Sequence, residues 1–268
     1  MEYKNNRLAL DGVFFEDIYT KHSSPTYIYS RDEILSNISS YKINIGSGDL
    51  VCFSVKSSNN LQILRLISSQ GLGFDVVSGG ELNKVLHINA DKNKIVFSGV
   101  GKTVEELRYA ISKKIFLINC ESFSEVKLIN ALSKKMKLKT KIGLRLNPNI
   151  NAKTHSKIST GNDKDKFGLS KLEFKKVIMN FKNSDFIEIS ALTVHIGSQI
   201  KEVFPFNNCL NFLNKTIADL KKANIKIKYV DLGGGMSIPY DFKETKFPLK
   251  KYASNVYNFK KKNKVKII

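Results

Sequence analysis

The stretch from Leu50 to Val77 reads LVCFSVKSSNNLQILRLISSQGLGFDVV, and it decides the fold class. A short apolar run, Leu50–Val55, precedes a polar turn and an amphipathic stretch, Asn60–Ser69. A second apolar run, Gly73–Val77, follows. A strand, a helix and a second strand in this order are typical of a parallel βαβ unit.

The same pattern repeats along the chain. Five further apolar runs predict strands: Lys94–Phe97, Ile115–Ile118, Lys141–Leu146, Ser190–Val194 and Lys228–Leu232. Amphipathic stretches between them predict helices: Gly80–Ile88, Val104–Ser112, Phe123–Lys134, Lys171–Phe181 and Phe206–Ala223. With Lys264–Ile268 as the start of an eighth strand, the pattern predicts a (β/α)₈ barrel, and a doubly wound open sheet is the alternative. No Gly-x-Gly-x-x-Gly follows the first strand, which disfavours a dinucleotide site.

The composition narrows the class of protein. The 268 residues carry a net charge of +20, from 39 Lys and only five Arg. Because the Lys are spread along the chain and Arg is scarce, we expect a solvated basic surface and no nucleic-acid partner. Three cysteines without paired spacing indicate neither a disulfide framework nor a metal site. No apolar leader or membrane span is visible, so we expect a cytoplasmic location.

Polar residues and glycines follow the predicted strands, where barrel active sites form. Lys56 closes the first run, and we expect its neighbours to desolvate its ammonium group and so favour the reactive neutral amine. Gly233, Gly234 and Gly235 follow the seventh strand and suggest a phosphate site or a tight turn. His195, with Ser198 three residues later, is either a buried structural residue or a group that faces a cofactor ring. The polar segment 147–165 suggests a functional loop over the barrel mouth.

Seven motifs occur in a fixed order. They are Phe53-Ser-Val-Lys56, Gly71-Leu-Gly-Phe-Asp-Val-Val-Ser-Gly-Gly-Glu-Leu82, Arg145-Leu-Asn-Pro148, Thr154-His-Ser-Lys-Ile-Ser-Thr-Gly161, Lys166-Phe-Gly168, His195-Ile-Gly-Ser-Gln199 and Asp231-Leu-Gly-Gly-Gly235. From about Thr26 to the last residue, the chain resembles the diaminopimelate decarboxylases, pyridoxal-phosphate enzymes of the alanine-racemase-like group. These catalyse the last step of lysine biosynthesis, from meso-2,6-diaminopimelate.

The resemblance implies a role for each site residue. Lys56 is similar to the lysine that forms a Schiff base with pyridoxal 5'-phosphate, and His195 to the histidine that stacks on the cofactor ring. Ser198 and Gly233, Gly234 and Gly235 resemble phosphate ligands. Asp75 and Glu81 match acidic residues beside the lysine, and Arg145 matches an arginine near the phenolic oxygen. No metal is implied.

The resemblance also predicts a domain division. Residues 1–30 would join a C-terminal β domain, and residues 31–268 would form the cofactor-binding barrel, truncated around strand 8 and without that β domain. The family is homodimeric with shared active sites. Its eighth strand is followed by Glu-Pro-Gly-Arg, whereas this sequence ends at Ile268. We therefore expect little or no decarboxylase activity from this chain alone.

Besides a basic nucleic-acid binder, which only the net charge supports, two classes of alternative remain. One is a related decarboxylase acting on ornithine, arginine, a D-amino acid or carboxynorspermidine. The other is a non-enzymatic barrel that carries pyridoxal phosphate.

Overall fold

The computed structural model describes residues 1–22, 25–44, 46, 48–150, 167–241 and 245–268. The chain divides into two compact units, Met1–Ile45 and Gly46–Ile268. Residues 151–166, which include most of the predicted mouth loop and its Thr154–Gly161 motif, lie outside the described residues.

The first unit begins with a small antiparallel sheet that was not predicted from the sequence. Strands β1 (Glu2–Lys4), β2 (Arg7–Leu10) and β3 (Val13–Phe14) are joined by two-residue turns. Both residues of each turn have positive φ: Asn5 and Asn6, then Asp11 and Gly12. These are the residue types that tight hairpin turns favour. Helices α1 (Phe15–Lys21) and α2 (Arg31–Asn44) complete the unit.

The β-prone run Thr26–Tyr29 does not form a strand. These four residues have no regular structure, and Tyr27 is 90% exposed. A β-prone run becomes a strand only where a neighbouring strand pairs with its backbone, and no described strand pairs with this one.

The second unit is built on one sheet of eight parallel strands. They are β4 (Cys52–Ser54), β5 (Gly73–Val76), β6 (Ile95–Phe97), β7 (Leu117–Cys120), β8 (Thr140–Arg145), β9 (Ile187–Thr193), β10 (Tyr229–Asp231) and β11 (Lys266–Ile267). Their order in the sheet is their order in the chain. The predicted (β/α)₈ fold is therefore confirmed, and each of the seven predicted strands overlaps an observed one.

Two hydrogen bonds join the edges of this sheet. The backbone N–H of Leu50, just before β4, donates to Ile267 O on β11 at 2.8 Å. In the second, Ile267 N donates to the Asp49 carboxylate at 2.9 Å. The same carboxylate also accepts from Lys260 Nζ, on the last helix of the chain, at 2.5 Å. The sheet is thereby closed into a barrel, so that all the carboxyl ends of its strands surround one mouth.

Helices alternate with these strands. They are α3 (Leu61–Ser69), α4 (Gly79–His87), α5 (Val104–Lys113), α6 (Phe123–Met136), α7 (Lys171–Phe181), α8 (Phe204–Lys222) and α9 (Leu249–Asn263). The first five begin at side chains that accept backbone N–H groups: Asn60, Ser78, Thr103, Ser122 and Ser170. Such caps satisfy amides that have no partner within the helix, and they start each helix soon after a turn. Helix α9 was not predicted. No described helix has the length and hydrophobicity needed to cross a lipid bilayer.

We expect Asp49→Ala to reduce the free energy of unfolding by about 3 kcal/mol, because it leaves Lys260 without its buried partner and opens the barrel seam. The side chains of this pair are only 19% and 3% exposed. Urea denaturation followed by circular dichroism would measure the change.

Asp219→Ala is the matched control for this substitution. Asp219 pairs with Lys222 on the surface, where the two side chains are 74% and 81% exposed. Its loss should change stability by less than about 0.5 kcal/mol. Equal effects of the two substitutions would contradict the role of Asp49 in closing the barrel.

Candidate active site

Inward-facing side chains of the barrel alternate with outward-facing ones, and this alternation creates layers. Val96, Leu117 and Ala191 pack together in a buried apolar cluster. Two residues further along each of these segments, the side chains are polar and hydrogen-bonded to one another: Ser98, Asn119 and Thr193. Since side chains two residues apart share a face, a polar layer lies above an apolar layer. The next layer is at the barrel mouth.

Lys56 follows β4 at the mouth, in the single 3₁₀ turn Val55–Ser57. Its side chain is exposed, so the prediction that neighbours desolvate its ammonium group is wrong. The physical reason is that β4 ends at Ser54, and the turn then carries Lys56 out of the packed wall. An amine in this position is accessible from the mouth of the barrel.

Asp75 lies on β5 and points into the barrel. Burial raises the pKa of its carboxyl group to about 7. A 2.6 Å hydrogen bond from Ser98 Oγ and the positive charge of Lys56 oppose that effect, whereas Asp231 and Glu81 add to it. Near neutral pH, the protonated and the ionised form of this carboxyl group are therefore both populated.

His195 lies two residues beyond β9. Burial lowers the pKa of its imidazole to about 4, and the positive charges of Arg145 and Lys56 lower it further. His195 is therefore neutral at pH 7. The charge of Lys56 acts on both His195 and Asp75, which indicates that these three predicted site residues face one space.

The three predicted glycines form a turn packed against the segment after β9. Gly233 and Gly235 have positive φ values of 63° and 96°. A β-carbon on Gly235 would lie 1.9 Å from Gly197 O, and one on Gly233 would lie 2.8 Å from His195 Nδ1. A β-carbon on Gly234, in contrast, would meet nothing within 4 Å. The turn is therefore built by close backbone contact on one side and is open on the other.

Ser198 lies in the segment that packs against this turn. Ile200 N donates to Gly235 O at 2.8 Å, and Ser237 N donates to Ile200 O at 3.1 Å. These bonds tie the loop after β9 to the loop after β10. The hydroxyl of Ser198 is thus attached to the same backbone framework as the glycine turn.

Arg145 ends β8 and is buried against Glu121. Its Nη1 donates to Glu121 Oε1 at 2.6 Å, and the two side chains are 10% and 4% exposed. Glu121 Oε2 also accepts from Gly168 N at 3.1 Å. The guanidinium group lies over the ring of Phe167, 4.7 Å from its centroid. Arg145 is therefore a fixed positive charge at the mouth.

Among the described residues, the hydrogen bonds of Glu81 are made within its own loop and helix and not to Lys56. It lies in the first turn of α4, where its carboxylate accepts from Val77 N at 2.9 Å and its own N–H donates to Ser78 Oγ. Its contribution is to fix the loop after β5 and to add negative charge near Asp75.

Several polar residues at the mouth or in the polar layer below it were not among the predicted site residues. Asn119 lies within β7, Glu121 directly follows that strand, and Asp231 ends β10. Lys102 is also buried, with a side-chain exposure of 0%. Its Nζ donates to Glu125 Oε1 at 2.7 Å and to Asn119 O at 2.8 Å. Their positions after strands were visible in the sequence, but their partners on other strands were not.

Comparisons with known proteins agree with this geometry. A family model described as "Pyridoxal-dependent decarboxylase, pyridoxal binding domain" matches residues 31–268. The diaminopimelate decarboxylase of Campylobacter jejuni is 36% identical over 243 residues, which are 90% of this chain and 60% of that protein.

Two solved structures are also similar. The diaminopimelate decarboxylase of M. jannaschii in complex with L-lysine has a TM-score of 0.92 and 34% identity, covering 100% of this chain and 65% of that one. The Helicobacter pylori enzyme complexed with L-lysine has a TM-score of 0.90 and 34% identity, covering 95% and 64%. The chain thus spans about 60% of the length of the curated relatives it matches.

The buried neutral His195 predicts a pH-dependent stability. Its pKa falls from 6.5 in the unfolded chain to about 4 in the folded chain, so the unfolded chain binds the extra proton between these values. The contribution of His195 to stability is therefore fully present above pH 6.5 and is lost as the pH falls toward 4. Between about pH 7 and pH 4.5, the free energy of unfolding of the wild-type protein should therefore fall by about 2 kcal/mol more than that of His195→Gln.

Urea denaturation at the two pH values measures this difference. The contributions of the titratable groups that both proteins share cancel when the two are compared. His87→Gln is the control, because His87 is exposed at the end of α4. A wild-type pH dependence identical to that of His195→Gln would contradict the burial of a neutral imidazole.

Proposed function

This chain belongs to the pyridoxal-dependent decarboxylases, and on that premise we propose that Lys56 is the residue that holds its pyridoxal phosphate. We propose further that the whole protein decarboxylates meso-2,6-diaminopimelate to L-lysine. The observation that carries the first proposal is the placement of an accessible amine beside Asp75, His195 and the glycine turn at one barrel mouth.

The residues present fit a phosphorylated aldehyde. The Lys56 amine is exposed at the mouth, and the glycine turn is open beside Gly234, where backbone amides can approach an anion. Ser54 Oγ, on the inner face of β4 two residues before Lys56, is buried and has no hydrogen-bond partner among the described residues. Buried hydroxyl groups are normally hydrogen-bonded, so a polar group of a ligand would satisfy it.

Each site residue has a task that its environment supports. When bound, pyridoxal phosphate supplies the electron sink that stabilises the charge left on the substrate carbon as carbon dioxide departs. His195 would present a neutral ring to the cofactor, because a pKa of about 4 leaves it uncharged at working pH. Arg145, fixed by Glu121, would face the phenolic oxygen with a permanent positive charge. Asp75, with a pKa of about 7, would exchange a proton next to Lys56.

Ser198 and the glycine turn would hold the phosphate. Ser198 lies on the loop that is hydrogen-bonded to Gly235 and Ser237, so its hydroxyl and the amides of the turn belong to one rigid unit. Glu81 would not touch the cofactor and would support the site by fixing the loop after β5. These assignments concern the cofactor and not the identity of the amino acid.

The substrate proposal rests on the relatives. Those named above are diaminopimelate decarboxylases, and two of their structures contain L-lysine, the product of that reaction. An amino acid is therefore the substrate class we propose, with meso-2,6-diaminopimelate as the specific member. We also propose the division into residues 1–30 and a cofactor-binding barrel at 31–268, and a homodimer with shared active sites.

Lys56→Ala should abolish covalent capture of the cofactor. Borohydride reduction in the presence of pyridoxal phosphate, followed by peptide mass mapping, should label Lys56 in the wild-type chain and leave the variant unlabelled, because an amine is required for the bond. Lys92→Ala is the matched control. Lys92 is an exposed lysine that precedes the amino end of β6, at the opposite end of the barrel, and its loss should leave labelling unchanged.

Labelling spread over many surface lysines, with no preference for Lys56, would refute the cofactor assignment. The substrate is tested separately on the whole gene product, by carbon dioxide release from meso-2,6-diaminopimelate, ornithine, arginine and D-amino acids. We expect turnover of diaminopimelate alone. Faster turnover of another member of the panel would replace the proposed substrate and leave the Lys56 assignment intact.

A further inference from the structure

Asn119 is the centre of the polar layer beneath the site. It lies on β7, and its side chain is completely buried inside the barrel. Its Nδ2 donates to Asp231 Oδ2 at 2.8 Å and to Ser98 Oγ at 3.1 Å. Its Oδ1 accepts from Thr193 Oγ1 at 2.7 Å. One amide group thus connects side chains from four segments of the barrel.

The orientation of this amide is fixed by its partners. Asp231 Oδ2 is an acceptor in this contact, so Nδ2 and not Oδ1 faces it. Thr193 supplies the hydroxyl donor that Oδ1 needs. On the third side Oδ1 lies close to β8, where a β-carbon at Gly143 would be only 2.3 Å away. Glycine at this position of β8 therefore makes space for the Asn119 side chain.

The two donated bonds lead to two parts of the candidate site. Through Ser98, Asn119 reaches the carboxyl group of Asp75, which accepts from Ser98 Oγ at 2.6 Å and faces Lys56. Through Asp231 it reaches the glycine turn, because Asp231 Oδ1 accepts from Gly233 N at 2.9 Å. The charge opposite Lys56 and the backbone of the turn are therefore ends of one hydrogen-bonded chain.

We propose that Asn119 is a positioning residue of the cofactor site, which fixes the carboxyl groups of Asp75 and Asp231 and thereby links the charge facing Lys56 to the geometry of the glycine turn. The proposal rests on the proposed function, since it assigns Asn119 a task toward the same cofactor. It adds a residue that never touches the cofactor and acts only through the two acids.

Other charged groups around the two acids do not replace this link. Those that act on Asp75 are Asp231, Lys56 and Glu81, and the one that acts on Asp231 is Arg145. The charges of both acids also act on Cys52, and burial, followed by these charges, raises the pKa of its thiol. Among these described groups, none is hydrogen-bonded to both Ser98 and Asp231 as Asn119 is.

The first test uses the chain without cofactor. Asn119→Ala should accelerate amide hydrogen exchange in residues 231–237 by about tenfold, because Asp231 loses the donor that fixes it below Gly233 N. Ser133→Ala is the matched control: Ser133 is equally buried and loses its 2.7 Å hydrogen bond to Thr140, which starts β8 at the other end of the barrel. This control should leave exchange in 231–237 at the wild-type rate.

The second test follows pyridoxal phosphate binding by absorbance as a function of pH. Asn119→Ala should weaken binding by about tenfold across the range, since a neutral side chain supplies no donor at any pH. Asn119→Asp should bind weakly at about pH 8, where a third carboxylate repels the other two. The Kd of this variant, divided by the wild-type Kd, should fall at about pH 6, where the added group is protonated and its single O–H replaces one of the two donated bonds.

A purely structural role would lower stability without this difference between the two variants. Wild-type exchange in residues 231–237 of Asn119→Ala, or identical pH profiles for the Ala and Asp variants, would overturn the inference. If Asn119→Ala does not fold, Thr193→Val serves in its place, because it removes only the bond to Oδ1 and should show the same changes at smaller size. Failure of the wild-type chain to capture pyridoxal phosphate would instead refute the proposed function, since the exchange test needs no cofactor.

Discussion

Closure of the parallel sheet is the constraint on which the site depends. The backbone bond from Leu50 to Ile267, supported by the Asp49 carboxylate, brings the first and last strands together. Once the sheet is closed, every strand delivers its carboxyl end to one mouth, and residues far apart in sequence share a space. Lys56 and Asp231 are separated by most of the barrel's sequence, yet their charges both act on Asp75. A flat sheet with the same strands would have kept them on opposite edges.

Because side chains alternate along each strand, apolar, polar and reactive residues lie in successive layers along the barrel axis. The apolar cluster of Val96, Leu117 and Ala191 fills the lower interior. Above it lies the polar layer centred on Asn119, and above that the reactive groups face the mouth. Burying two carboxyl groups in the middle layer is costly, and it raises the pKa of both Asp75 and Asp231. Donors within the layer offset part of that cost, which is why almost every polar atom there is paired.

Much of this architecture could be predicted from the sequence, because it follows from local patterns. Repeating apolar runs and amphipathic stretches gave all seven complete strands and most of the helices. Helix α9 was missed because its many lysines hide the spacing of Tyr252, Val256 and Phe259, which form its buried face. The N-terminal hairpins were missed although Asn5-Asn6 and Asp11-Gly12 are typical turn residues. The β-prone composition of Thr26–Tyr29 was misleading, because a strand forms only where another segment of the folded chain pairs with its backbone.

The site was predictable as a set of positions but not as a set of contacts. Strand ends identified the residues at the mouth, yet no periodicity shows that Glu121 pairs with Arg145 or that Asn119 reaches Asp231 across the barrel. The exposure of Lys56 also depends on a short turn that composition does not reveal. The most direct test of the central claim is a crystal structure of the protein grown with pyridoxal phosphate. We predict continuous electron density from Lys56 Nζ to the cofactor, with the phosphate against the turn at Gly233–Gly235. A cofactor bound elsewhere, or a mouth in which Lys56 points away from it, would contradict that claim.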